Sequence, residues 1–191
     1  MSSPDAGRPP STGPDADRRT TVLDSAMTTF ARYGYRKTSM EEVARAAHIS
    51  RPGLYFLFSS KEALFRAAVA QTLDRDLTAV EQVLADSGRL LPERLVEAFD
   101  RWAGRYIGGP LTRDAARVVE ENPDILGEIV ETAPRRFEQL VTDAIAVESG
   151  RRTALPVAQT LISTSIGLKH QVASRDLYLE RLAVAIGLLL P

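Results

Sequence analysis

Between Ser39 and Lys61 the chain gathers side chains suited to a phosphate-bearing duplex. Ser39 stands where a helix would begin, so its hydroxyl and the neighbouring backbone N–H groups can meet a phosphate oxygen. Arg51 carries a guanidinium whose fork matches O6 and N7 of guanine in a major groove. Ser50, Pro52, Gly53 and Tyr55 surround it, and Lys61 opens the next helical stretch. A second group lies in the C-terminal part: Phe99, Trp102, Tyr106, Phe137, Ser165, Lys169 and His170. Its chemistry suits an apolar or amphipathic organic molecule, although a Phe-Trp-Tyr stripe at helical spacing also describes an ordinary core.

Enzymatic chemistry finds few residues to use. The chain has no cysteine and two histidines, His48 and His170, far apart in sequence. No metal spacing, phosphate loop or nucleophile elbow is present, so neither a metal nor a cofactor is expected. Acidic pairs such as Glu41-Glu42 and Glu120-Glu121 read as solvated helix faces. A binding protein fits these residues better than an enzyme.

The 191 residues, 44% of them apolar, are enough for a sizeable core. Lack of cysteine fits a reducing cytoplasm. No apolar run approaches the roughly 20 residues that span a bilayer. Residues 1–16 are rich in Pro, Gly, Ser and Asp with no apolar segment, and read as a disordered arm rather than a signal peptide. The net charge of -1 hides an asymmetry. Residues 17–66 hold nine Lys and Arg against five Asp and Glu, whereas residues 67–191 hold fourteen against eighteen. A basic head on an acidic body is the pattern of a polyanion-binding domain, though chance clustering on solvated faces gives the same count.

Apolar residues recur at three and four throughout, with no strand alternation, which predicts an all-α chain of about nine helices. The first should start near Asp17 and stop at Gly34. Ser39 with Glu42 makes a capping box for the second. A tight turn at His48-Ile49 precedes a third helix capped by Ser50, with Pro52 in its first turn. Ser59 with Glu62 offers another capping box for a long fourth helix ending near Ser87-Gly88. Phe99, Trp102 and Tyr106 fall on one face of a fifth helix closed by Gly108-Gly109-Pro110. A short helix near Thr112 to Glu121 comes next. "NPD" then starts a helix carrying Ile125, Ile129 and Phe137, kinked at Pro134. Two helices, about Leu155 to Val172 and Asp176 to Leu190, finish the chain.

Two helices joined by a tight turn, the second exposing its N-terminal residues, define a helix-turn-helix. In "SRPGLYFLF" the period places Leu54 and Phe58, with Leu57 beside them, against the brace, and Arg51, Gly53 and Tyr55 outward. Residues 21–69 resemble the DNA-binding domain of the TetR (tetracycline repressor) family. The resemblance rests on Phe30-x-x-x-Gly34-Tyr35, Thr38-Ser39, Val43-Ala44-x-x-Ala47, Ile49-Ser50, Leu54-Tyr55-x-x-Phe58 and Ser60-Lys61-Glu62-x-Leu64. It implies a helix-turn-helix DNA-binding domain over residues 17–62 and a helical ligand-binding and dimerisation domain over 63–191. By the same resemblance Tyr55 gives its hydroxyl to the DNA backbone and Lys61 holds a phosphate. Arg18, Arg19, Arg36 and Lys37 either add backbone affinity or only solubilise.

Three positions depart from the family pattern. His48 stands where glycine is usual, in a left-handed turn that is costlier for His. Gly53 replaces a frequent hydroxyl residue, and Leu57 replaces His or Tyr, so direct readout falls more heavily on Arg51. The resemblance further implies a homodimer on a palindromic operator, a repressor released by a small organic ligand, with its last two helices pairing across the dimer. Ala158, Ser163, Ser165 and Gly167, with Leu179, Leu182, Ala183, Ile186 and Leu190, are the expected dimer stripes. The alternative is a TetR-like protein that has lost ligand response or specific DNA recognition and acts as an adaptor.

Overall fold

The structure, a computed structural model, describes residues 14–108 and 110–190. Among these residues it is entirely helical, with ten α-helices and no strand. Two short helices follow the first by local capping. Helix α1 (Pro14–Tyr33) ends at Gly34, whose φ of +81° is a conformation free of Cβ strain only in glycine. Helix α2 (Met40–Ala46) has the expected capping box: the Ser39 hydroxyl accepts from the Glu42 backbone N–H, and the Glu42 carboxylate accepts from the Ser39 N–H at 2.7 Å. The Ser39 backbone N–H, and after it the Ser39 hydroxyl donating at 2.8 Å, hold the Glu42 carboxyl below its ordinary range. His48 then takes φ +54°, the left-handed turn anticipated for it. The Ser50 hydroxyl accepts from Gly53 N–H at 3.1 Å and opens α3 (Arg51–Leu57).

Helix α4 (Lys61–Leu84) is capped by Ser60, accepting from Ala63 N–H at 3.0 Å, and not by Ser59. It joins two apolar cores. Leu64, Phe65, Ala68 and Val69 belong to the first, together with Phe30 of α1, Val43 of α2, and Leu54 and Phe58 at α3. Leu77, Val80 and Leu84 belong to the second, which is built from α5 (Leu91–Trp102), α8 (Ile129–Ser149), α9 (Arg151–Gln171) and α10 (Arg175–Leu189). The N-terminal core also takes Val118 from α6 (Pro110–Glu120) and Leu126 from α7 (Pro123–Leu126). The basic head therefore packs against elements far beyond residue 62.

Several boundaries differ from the sequence reading, each for a local reason. α1 begins at Pro14, inside the stretch read as an arm, and residues 1–13 lie outside the described residues. α4 stops at Leu84 and α9 starts at Arg151. α5 stops at Trp102, and Tyr106 sits on a separate 3-10 turn, Gly104–Tyr106. At this break a Cβ on residue 104 would lie 2.5 Å from the Asp100 carboxylate and 3.1 Å from the Tyr178 ring, so the close packing there admits only glycine. The helix expected after "NPD" is two helices, divided at Gly127 with φ +59°, and α8 runs on through Pro134. The dimer stripes are also partly spent: Ala158, Ser165, Leu182 and Ile186 are buried within their own chain.

Asp100 receives two donors from Arg175, tying α5 to the start of α10 beside Gly104. Gly104→Ala would drive a methyl into that junction. It should destabilise the chain by about 1–3 kcal/mol, as overpacking in a dense interior does, read as a lower urea midpoint in equilibrium unfolding.

Candidate nucleic-acid interface and cavity

The third helix is held on one face and open on the other. Leu54 and Phe58 are fully inside, and Arg19 of α1 lies over the Phe58 ring at 4.3 Å while donating to the Leu57 carbonyl at 3.4 Å. Arg19, left between affinity and solubility by the sequence, is thus a brace for α3. Arg51, Pro52 and Tyr55 are exposed, Gly53 and Leu57 half-exposed. The Arg51 guanidinium lies 5.7 Å from the Tyr55 ring centre. Phe56, which is not among the site residues read from the sequence, is 90% exposed. Its signal was present: it lies one residue past Tyr55 on the face opposite Leu54.

Lys61 has a role that the sequence did not disclose. Its ammonium donates to the carbonyls of Tyr35 and Thr38, each at 3.1 Å, and lies 4.5 Å from the Tyr35 ring centre. Two of its three N–H groups therefore hold the turn between α1 and α2, leaving one for another acceptor. Ser39 is exposed, but its hydroxyl donates to the Glu42 carboxylate at 2.8 Å. Its meeting with a phosphate would depend on the helix N-terminus more than on its own proton. The Ser50 hydroxyl accepts from Gly53 and keeps its proton available. Arg36 and Lys37 are exposed on the same turn.

In the C-terminal part, helices distant in sequence enclose a cavity of about 540 Å³. Phe99, Trp102, Tyr106, Phe137, Ser165 and Lys169 all line it, whereas His170 is exposed outside the lining. Trp102 stacks on Phe137 at 5.0 Å and 11°, and Phe99 meets Phe137 edge-on at 5.1 Å. The remaining wall comes from places that the C-terminal stripes could not indicate: Met27 of α1, Thr72 and Leu73 of α4, Val119 of α6. The cavity lies at the seam between the two cores.

Its polar groups are nearly all engaged. The Tyr106 hydroxyl donates to Asp76, which also accepts from Arg105 at 2.7 Å. Asp76 is only 2% exposed, and burial raises its carboxyl above the usual value against the pull of Tyr106 and Arg105. Burial, then the Asp76 charge, raises the Tyr106 hydroxyl far above its ordinary range. Ser165 shares a 2.7 Å hydrogen bond with Tyr178, whose hydroxyl burial pushes up to about 12. Asp76 was legible as an oddity: it is a carboxylate on the buried face of α4 with Leu73, Leu77 and Val80.

A braced helix presenting Arg, Tyr and Phe beside a tight turn defines the chain as a helix-turn-helix protein with an appended helical domain. Residues 22–68 match the family model described as bacterial regulatory proteins, tetR family. Over those residues, about a quarter of the chain, it is similar to that family's DNA-binding domain. It is 29% identical over 126 residues to the HTH-type transcriptional regulator YfiR of Bacillus subtilis, a match covering 65% of this chain and 51% of YfiR. It is 37% identical over 57 residues to the HTH-type transcriptional regulator RutR of Escherichia coli, covering 30% and 27%. The chain thus spans about half of YfiR and about a quarter of RutR. A TetR-family transcriptional regulator from Mesorhizobium loti has the same fold, with a TM-score of 0.74 at 18% identity over 94% of this chain and 98% of that one. Among the described residues no helix is long and apolar enough to cross a membrane.

Tyr106→Phe removes one of the donors to the buried Asp76. Such a loss costs about 1–3 kcal/mol when the acceptor stays charged. The carboxyl should rise further, because the charged form loses a hydrogen bond. The destabilisation is therefore expected in full at neutral pH and should shrink as acid protonates Asp76. Urea unfolding of both proteins at pH 7 and near pH 4 checks this.

Proposed function

We propose that this protein is a homodimeric transcriptional regulator of the cytoplasm, most simply a repressor, that binds a palindromic operator and releases it when a small organic ligand fills the cavity. The observation carrying the reading is the one-sided exposure of α3. Arg51, Pro52, Tyr55 and Phe56 face outward while Leu54, Phe58 and the Arg19 stack hold the helix from behind. Arg51 reads guanine, the Ser50 and Tyr55 hydroxyls and the free N–H of Lys61 take phosphates, and Gly53 lets the backbone approach the groove. The Ser39 end of α2 adds a further phosphate contact. A helix so placed reads the major groove, and half-sites recur at about 34–36 Å or a multiple in a symmetric dimer.

The pairing surface is assigned to the outer faces of α9 and α10. Leu155, Ile166, Leu177, Val184 and Leu188 remain exposed there, although Leu182 and Ile186 are committed to the chain's own core. A contiguous apolar face of this kind is costly to leave in water and marks an interface. Ligand response follows from the cavity's position. Its wall includes α1 and α4, so an occupant contacts helices of the DNA-binding head directly. Coupling of about 1–3 kcal/mol would change DNA affinity about 5–150-fold.

Selection from a random DNA pool tests the central reading, and a palindrome is the expected outcome. No enriched sequence would favour the adaptor reading, to which Gly53 and Leu57 lend weight by offering no side-chain hydrogen bond. Arg51→Ala should weaken the selected site by about 1–3 kcal/mol and relax preference at a single base pair per half-site. Val184→Glu combined with Leu188→Glu should give a monomer by analytical ultracentrifugation and lose most operator affinity. A dimer persisting in that double variant would move the interface elsewhere.

A further inference from the structure

Among the described residues the cavity has one charged pair in its lining, Lys169 of α9 and Glu120 of α6, with Nζ 2.7 Å from Oε1. We infer that the ligand is a monocarboxylate with an apolar tail, whose head replaces Glu120 on Lys169 and so unlinks α6 from α9. This rests on the reading of the cavity as an effector site. The other hydroxyls in the lining are occupied by the protein itself: Tyr106 by Asp76, Ser165 by Tyr178, and Thr72 by the Ala68 carbonyl at 3.0 Å. Among the described lining residues that leaves the Trp102 indole N–H and the ion pair, and of these Lys169 carries the charge that an anionic head matches.

The two partners are not equivalent, and the difference selects an anion. The Glu120 side chain is 61% exposed and that of Lys169 31%. A displaced Glu120 turns into water, whereas a ligand cation taking Glu120 would strand Lys169 against an apolar wall. Helix ends point the same way. Glu120 is the last residue of α6 and has Glu121 beside it, where the helix dipole disfavours a carboxylate. Lys169 stands in the last turn of α9, where the dipole favours a cation whichever carboxylate it holds. A partly exposed ion pair contributes little by itself, so releasing Glu120 costs little, whereas the ligand carboxylate meets Lys169 from the apolar side, where a charge-assisted contact is stronger. Burial of the tail against Trp102, Phe99 and Phe137 then drives binding.

Exchange has a mechanical consequence. α6 packs against α1, and its Val118 belongs to the N-terminal core while its Val119 lines the cavity. The Lys169–Glu120 bridge pins the C-terminal end of this helix to α9. Once Glu120 is free, the end of α6 that supports α1 loses that tie, and the DNA-binding head loses a fixed support.

Trp102 is the chain's single tryptophan and lines the cavity, so its fluorescence reports occupancy. The full chain would be titrated with decanoate, decanol and decyltrimethylammonium, each below its micelle-forming concentration. Decanoate should bind at least about tenfold tighter than decanol, a gain in the range of one charge-assisted contact. Lys169→Met should abolish that preference while leaving decanol binding within about twofold, which also reports that the variant is folded. Glu120→Gln, removing the internal competitor, should tighten decanoate severalfold. Hydrogen exchange over residues 114–121 should quicken with decanoate and not with decanol. Equal or tighter binding of the alcohol or the cation, or a preference that survives Lys169→Met, overturns the inference while the effector cavity stands. Slower exchange in α6 on decanoate binding overturns the unlinking step. If none of the three probes disturbs Trp102, the effector reading of the cavity falls as well.

Discussion

α4 belongs to two hydrophobic cores at once, and the other elements are arranged around that fact. Its first half packs Leu64, Phe65, Ala68 and Val69 under the three-helix head, and its second half packs Leu77, Val80 and Leu84 into the C-terminal bundle. A helix is stiff along its axis, since every turn is bonded to the next. Close-packed side chains on both halves leave little room to absorb displacement locally. A change of packing near Thr72 and Leu73, where the cores meet, must therefore reach Lys61, and Lys61 holds the turn ahead of α2.

Polar ties reinforce this shared helix on several sides. Asp24 of α1 accepts from Gln71 at 3.0 Å and from Arg75 at 2.8 Å. Arg66 donates to the Ile125 carbonyl at 2.9 Å, joining α4 to α7. Arg136 of α8 reaches Asp74 and Glu81 at 3.2 and 3.3 Å. These are mostly exposed pairs, each individually weak. Their value is directional: they set which way α4 faces its neighbours, while the apolar area supplies the larger part of the stabilisation. Asp76 differs from them. It is buried, and its partners Tyr106 and Arg105 sit on the 3-10 turn at the cavity, so the cavity's polar edge is bonded to the helix that spans the molecule.

The head and the cavity divide the chemistry between them. On α3 every outward group is a donor or an apolar ring, with no acidic residue in the helix, as contact with a polyanion requires. In the cavity the walls are aromatic and aliphatic, and among the described residues charge is confined to one pair. A concave apolar site of this volume with few polar groups is the usual form of a small-molecule site.

What the sequence determined by itself was the head. Ser39 with Glu42, Gly34, His48-Ile49 and Ser50-x-x-Gly53 act through bonds spanning three to five residues, so their caps and turns are written locally and appear where the spacing puts them. The ordered apolar set from Phe30 to Leu64 then packs α1, α2 and α3 into one core. Tertiary structure decided what depends on residues distant in sequence. It set Tyr178 of α10 so close to Gly104, 3.1 Å from where a Cβ would stand, that only glycine fits after α5. It brought Met27, Thr72 and Val119 to the same wall as Trp102 and left His170 outside. It also turned Leu182 and Ile186 inward and Val184 and Leu188 outward on one apolar helix. Periodicity shows that a helix has an apolar side, but on α10 nearly every side is apolar, and only the packing of α5 and α9 against it selects the buried one.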